Sequence, residues 1–222
     1  MERWYRATGV ATRTIVRALD VRLRYTGLEY LPRSGPVVLA SNHVSYPDFL
    51  WIGLAAHERD RWPRFLTRHD VWNSPVRRAM VGMRHVPVDR EAPAAAYLAA
   101  LRLLREGEAV CVFPEAGISW SYAVRSLMRG PAALARETGA PLVPVALWGT
   151  QRIWSVGRPV DGRKPRPSLR RHRPVDVAFG EPLTVPSDEG GGHAPDRAEA
   201  LALDDVPRSA VPPSWGPPRL PG

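Results

Sequence analysis

Apolar positions along this chain follow two alternating rhythms. Residues 3–19 place Trp4, Ala11, Ile15 and Leu19 near one face of a helix, with arginines around the rest. The stretch 21–29, VRLRYTGLE, alternates like a strand, and 36–41, PVVLAS, is short and apolar like a buried strand. DFLWIGLAA follows as a helix opening at Pro47 or Asp48, because Pro47 disfavours a helical Tyr46. RFLT reads as a strand, SPVRRAMVGM as a short helix with Pro75 in its first turn, and HVPV as a strand. Residues 92–107 form a helix with Tyr97, Leu101 and Leu104 on one face and Gly107 as its C-terminal cap. AVCVF, the helix PAALARETG, PLVPVAL and PVDVAFG complete the series. Strands alternating with helices predict an α/β fold: one domain whose central sheet is mixed, largely parallel, and flanked by helices.

The domain is expected over residues 1–185, and from 186 the character changes. Residues 186–222 are rich in Pro and Gly and lack apolar periodicity, which predicts a disordered tail. No apolar run approaches the roughly 20 residues a membrane span requires. The arginine-studded N-terminus is unlike a signal peptide.

Charge adds a surface to this picture. Of the net +9, residues 152–174 contribute +7, from eight Lys/Arg against one Asp. Such a segment attracts phosphate groups on lipid, nucleic acid or a soluble substrate, or is simply a solvated loop. Nucleic acid is disfavoured: Trp154 is its only aromatic and no recognition motif accompanies it. The single cysteine, Cys111, excludes an internal disulfide and a cysteine-rich zinc site, and in AVCVF it reads as a buried small hydrophobe.

The chemistry concentrates in ASNHVSYPDFLW, residues 40–51. His43 falls in the loop after a strand and Asp48 in the first turn of the next helix. A chain turning between them brings the carboxylate to one ring nitrogen, fixes the tautomer and leaves the other nitrogen as a base. In α/β sheets such a loop lies at the carboxyl ends of the strands, where ligands bind. Taken alone, the stretch fits slightly better an Asp48 that favours its helix N-terminus and a His43 that ends a strand.

Three further stretches shift the balance: GMRHVPVDR, VCVFPEAGIS and GAPLVPVAL. With NHVSYPD, their order and spacing closely resemble the glycerolipid acyltransferase family, from about Leu28 to Leu183. The family carries N-H-x-x-x-x-D, a strand ending in arginine, F-P-E-G-T-R-S, and a V-P-hydrophobic strand. The resemblance implies a glycerol-3-phosphate acyltransferase-like fold and acyl transfer from acyl-CoA or acyl-carrier protein to a lysophospholipid hydroxyl. His43 and Asp48 are then the catalytic pair, with Asn42, Arg90, Phe113, Pro114, Glu115, Gly117 and Arg129 around the substrates. Arg90 otherwise reads as a surface arginine beside Glu91, and Glu115 as a turn cap. No metal or cofactor is implied beyond the thioester co-substrate. A serine triad is disfavoured, since GISWS is not G-x-S-x-G. One departure matters: Ile118 stands where the family has a second arginine, and Arg129 or Arg125 is placed to replace its charge. Lipid substrates imply a peripheral protein on the cytoplasmic side of the membrane, with the helix 3–19 at the interface. The competing class is a non-catalytic basic domain of the same fold that binds lipid or nucleic acid.

Overall fold

A computed structural model describes residues 2–89, 91–119, 126–154, 166–168 and 172–185. Arg90, Arg125, most of the basic segment 152–174 and the tail 186–222 lie outside the described residues.

Among the described residues seven strands form one sheet: β1 (Arg22–Thr26), β2 (Val37–Ser41), β3 (Arg64–Arg68), β4 (Val86–Val88), β5 (Ala109–Val112), β6 (Leu142–Trp148) and β7 (Pro174–Phe179). Their order is β1-β7-β6-β2-β5-β3-β4. From β6 to β4 every neighbouring pair is parallel, β7 runs antiparallel to β6, and β1 is parallel to β7. This is the expected mixed, largely parallel sheet.

The burial of β2 explains its central position. All five of its residues are buried, so it has no solvent face. Alternate side chains feed two cores. Val37 and Leu39 join Cys111, Ile52 and Phe65 on one side, while Val38 and Ala40 join Val110, Leu101, Leu104 and Leu134 on the other. The helices α1 (Glu2–Ala18) and α2 (Asp48–His57) cover the first side. The helices α4 (Pro93–Arg105) and α5 (Gly130–Thr138) cover the second, and the short α3 (Arg77–Gly82) precedes β4.

Several boundaries differ from expectation. The strand expected over 21–29 ends at Thr26, because Gly27 turns at φ 68° and a Cβ there would stand 1.9 Å from the Phe179 carbonyl oxygen. The helix expected over 74–83 begins only at Arg77. Pro75 therefore sits in a turn before it, and a 3-10 helix occupies His69–Asn73. In α1 the buried residues are Tyr5 and Thr12, with Val16 against the core, whereas Trp4, Val10 and Ile15 are exposed.

Candidate active site

The loop leaving β2 is held by its own side chains. The Asn42 amide donates to the Leu147 carbonyl at 3.0 Å and accepts the Leu147 N–H at 2.7 Å, which extends the β2–β6 ladder by one rung. Expected among substrate contacts, Asn42 has its amide committed to the β6 backbone. It acts as a clamp on the loop that carries His43.

His43 is fixed from four directions. Its N–H donates to Glu115 Oε1 at 2.9 Å, and its carbonyl accepts the Ser119 N–H at 2.8 Å. Its ring stacks on Phe113, with centroids 4.1 Å apart and planes at 19°. Its Nδ1 meets Asp48 Oδ2 at 2.8 Å. A carboxylate accepts, so Nδ1 carries the proton and Nε2 keeps the lone pair. The His43 side chain remains 18% exposed, enough for a substrate hydroxyl to reach it, while that of Asp48 is fully buried.

A buried carboxylate is tolerable only when its oxygens are hydrogen-bonded. Asp48 Oδ2 also accepts the N–H groups of Val44 and Ser45, at 2.8 and 2.9 Å. Asp48 Oδ1 accepts from the Thr150 hydroxyl at 2.6 Å. Thr150, which the sequence reading did not single out, is itself fully buried. It reaches Asp48 because Gly149 turns at φ 95°, where a Cβ would lie 2.2 Å from the Pro174 carbonyl oxygen. The only local signal was a glycine after a strand, in LWGT.

The Phe113–Gly117 turn follows β5 on the same sheet edge. Glu115 is buried, and Phe113 and Gly117 are half-buried. The Pro114 carbonyl accepts the Met128 N–H at 2.9 Å, which folds residues 126–129 onto this turn and leaves Arg129 exposed at the start of α5. Ala116 adopts φ 53°, a left-handed conformation that glycine adopts more readily. It occupies the glycine position of F-P-E-G. Thus His43, Asp48, Phe113, Pro114, Glu115 and Gly117 come together, Arg129 borders them, and Arg90 follows β4 outside the described residues.

A cavity of about 250 Å³ lies between α1 and α2, walled on one part by Tyr5, Phe49, Leu54 and Phe65 and on another by Arg6, Arg13 and His57. Phe65 stacks on Phe113 with centroids 6.4 Å apart, and Phe113 stacks on His43. An apolar row therefore links the imidazole to the cavity. Cys111 in β5 is fully buried in the same core, and burial pushes its thiol pKa up, so it remains a protonated hydrophobe. Among the described residues no helix is long and apolar enough to cross a membrane.

Comparison with known proteins identifies the family. A family model described as Acyltransferase matches residues 22–148, more than half of the 222-residue chain. The chloroplastic 1-acyl-sn-glycerol-3-phosphate acyltransferase BAT2 of Brassica napus is 31% identical over 136 residues, 59% of this chain and 38% of that protein. The 1-acyl-sn-glycerol-3-phosphate acyltransferase of Borreliella burgdorferi is 25% identical over 141 residues, 60% of this chain and 54% of that one. The matched region thus spans between about four tenths and about half the length of these relatives. The crystal structure of the 1-acyl-sn-glycerophosphate acyltransferase PlsC from Thermotoga maritima superposes with a TM-score of 0.72 at 20% identity, covering 93% of this chain and 78% of that one. At that identity the match establishes the fold.

Proposed function

This chain belongs to the acyltransferase family, and we propose that it works at a membrane surface, moving a fatty acyl group from a thioester to the hydroxyl of 1-acylglycerol-3-phosphate or a closely related lysolipid. The observation that carries this reading is the His43–Asp48 contact of 2.8 Å, with Nε2 free at the sheet edge. In the transfer, Nε2 takes the proton of the acceptor hydroxyl as its oxygen attacks the thioester carbonyl. The new C–O bond forms, the C–S bond breaks, and the proton passes to the departing thiolate. Asp48 orients the ring and stabilises the imidazolium. The thioester is already activated, so no enzyme nucleophile is required. A non-catalytic lipid- or nucleic-acid-binding domain would have no use for a base whose partner carboxylate is buried and satisfied by four donors.

For the acyl chain this reading takes the cavity at Phe49, Leu54 and Phe65, whose Phe65 is connected to His43 by ring contacts through Phe113. The similarity to 1-acyl-sn-glycerol-3-phosphate acyltransferases supports a phosphorylated glycerolipid acceptor. Arg129 is exposed beside the Glu115 turn, and Arg90 matches the family's arginine, so cations remain where Ile118 has replaced one. Membrane contact is supported by the outer face of α1. Ile15 is 53% exposed there beside the exposed Trp4, and Arg3, Arg6 and Arg17 are exposed on the same helix. The Trp4 ring lies over Gly82, so this face adjoins the exposed Val81 of α3.

Thiol release from acyl-CoA, measured with and without lysophosphatidic acid, tests the reading. Acceptor-dependent release is expected from the parent, and His43→Ala should lower it about 10²–10⁴-fold, the usual contribution of a general base. A His43→Ala variant with near-parent turnover would refute this assignment.

A further inference from the structure

The acyl-transfer reading leaves one large feature unused. An open groove of about 560 Å³ is lined by His69, Trp72, Asn73, Ser74, Arg77 and Pro87. It lies where β3 and β4 run out: β3 ends at Arg68, and Pro87 pairs in register with Thr67. In the sheet, β3 is two strands from β2 and β4 is three. At about 4.8 Å per strand, the groove stands roughly 10–15 Å along the same edge from the strand that carries His43.

Its chemistry is one-sided. Among the described residues no carboxylate lines it. Asp70, the nearest acid in sequence, is occupied by Arg68 through two hydrogen bonds of 3.0 and 2.8 Å. His69 and Arg77 are exposed and form no ion pair with a described acidic side chain. Asn73 and Ser74 add short polar groups. The half-buried Trp72 donates its indole N–H to Thr67 Oγ1 at 3.1 Å, which fixes the ring plane before any ligand arrives. A fixed indole beside an unpaired guanidinium suits a flat ring that carries phosphate: the ring gains a stacking surface and the phosphate a multidentate donor.

We infer that this groove is a phosphate-ester subsite in which Arg77 and His69 hold the phosphate and Trp72 packs against the group attached to it. Two partners of the proposed reaction carry phosphate esters. The nucleotide end of coenzyme A has both phosphate and a flat ring, whereas a lysolipid headgroup has phosphate alone. The presence of Trp72 favours the nucleotide. When extended, the pantetheine arm is long enough to bring the thioester from such a site to His43. The site then selects a coenzyme A thioester over a carrier-protein thioester, which has no nucleotide. This inference rests on the acyl-transfer reading for its choice of ligand, but its test does not depend on turnover.

The test is calorimetric titration of the full chain at low salt with adenosine 3′,5′-bisphosphate and, separately, with glycerol 3-phosphate. The parent should bind the bisphosphate. Arg77→Gln, an exposed change that leaves the fold unburdened, should weaken it about tenfold, the usual scale for one charge-assisted contact. Trp72→Leu should also weaken it. In turnover, Arg77→Gln should reduce kcat/KM for acyl-CoA more than for an acyl-pantetheine lacking the nucleotide. If glycerol 3-phosphate is the ligand whose affinity depends on Arg77, the subsite stands and serves the acceptor. If neither ligand's affinity changes in Arg77→Gln or Trp72→Leu, the inference is overturned. Bisphosphate binding through Arg77 in a chain that transfers no acyl group would refute the transfer reading and leave the groove intact.

Discussion

Thr150 offers the sharpest test of how the dyad is built. Asp48 is fully buried, and its Oδ1 accepts from the Thr150 hydroxyl at 2.6 Å, while its other oxygen serves His43, Val44 and Ser45. Thr150→Val keeps the shape of the side chain and removes the donor. No other described residue donates to Oδ1, so the variant leaves a buried anionic oxygen without a partner. A hydrogen bond to a charged group contributes about 1.5–3 kcal/mol. That energy also holds the carboxylate plane in which His43 is aligned. If all of it is drawn on when the imidazolium forms, kcat/KM falls about ten- to hundredfold. Melting temperature should fall as well, since the same oxygen is orphaned in the resting fold.

The assay is steady-state thiol release, with kcat and KM measured separately for Thr150→Val and Thr150→Ser. The loss in Thr150→Val is expected mainly in kcat, because Thr150 sits behind Asp48 and away from the substrate. Thr150→Ser keeps the hydroxyl and should recover most of the rate. A Thr150→Val variant within twofold of the parent would refute the reasoning. So would a Thr150→Ser variant as slow as Thr150→Val, because shape rather than the donor would then be the cause.

Three other outcomes follow from the same geometry. Gly53 lines the cavity between α1 and α2 and a Cβ there meets nothing within 4 Å, so Gly53→Leu should fill the cavity without harming α2. The variant should favour shorter acyl chains in kcat/KM, at about 0.8 kcal/mol for each methylene denied burial; an unchanged chain-length profile would move the acyl chain elsewhere. Replacing Arg3, Arg6 and Arg17 with glutamine should weaken binding to anionic vesicles by about 1 kcal/mol per residue and reduce its salt dependence, as read by co-sedimentation; parent-like binding would argue against α1 as the contact. Burial, reinforced by Arg64, lowers the His85 pKa from 6.5 to about 3. Between those values the unfolded chain binds a proton that the folded chain does not, so this group's contribution to stability is present above pH 6.5 and lost as pH falls toward 3. His85→Asn keeps an acceptor for the Phe65 N–H, now at 3.2 Å, and should flatten that part of the pH–stability curve; an equally steep curve would place the acid sensitivity in another group.

The sequence was most legible where a strand ends in a motif. β2, α2, α4, β5 and β6 declare themselves through apolar runs, Pro47 and Gly107, and the residues just after the strands carry the chemistry. What stayed hidden depends on distant backbone. Asn42 reads as a polar site residue until β6 is alongside, and then both ends of its amide are spent on Leu147. Thr150 is 102 residues from Asp48, and a threonine after a strand has no local mark of function. The groove around Trp72 lay in HDVWNSP, where the turn-forming residues carry no periodicity and the helix expected from Ser74 starts three residues late.

The helix α1 shows why a hydrophobic face read from sequence does not by itself say what it touches. Its periodicity supports two apolar faces, and Trp4 and Ile15, the more obvious pair, are on the outer one. The inner face is set by Tyr5, which donates its hydroxyl to the Pro63 carbonyl and packs near Trp62 and His85. Only a partner could choose between the faces, and the choice has a functional consequence. With Tyr5 inward, α1 roofs the cavity at Phe49 and Phe65, and Phe65 is tied to His43 by ring contacts through Phe113. With Trp4 and Ile15 exposed, the same roof offers another face to lipid. In the proposed reaction an acyl chain leaving the bilayer then meets the cavity's cover directly, and the membrane contact and the chain-binding wall are two sides of one helix.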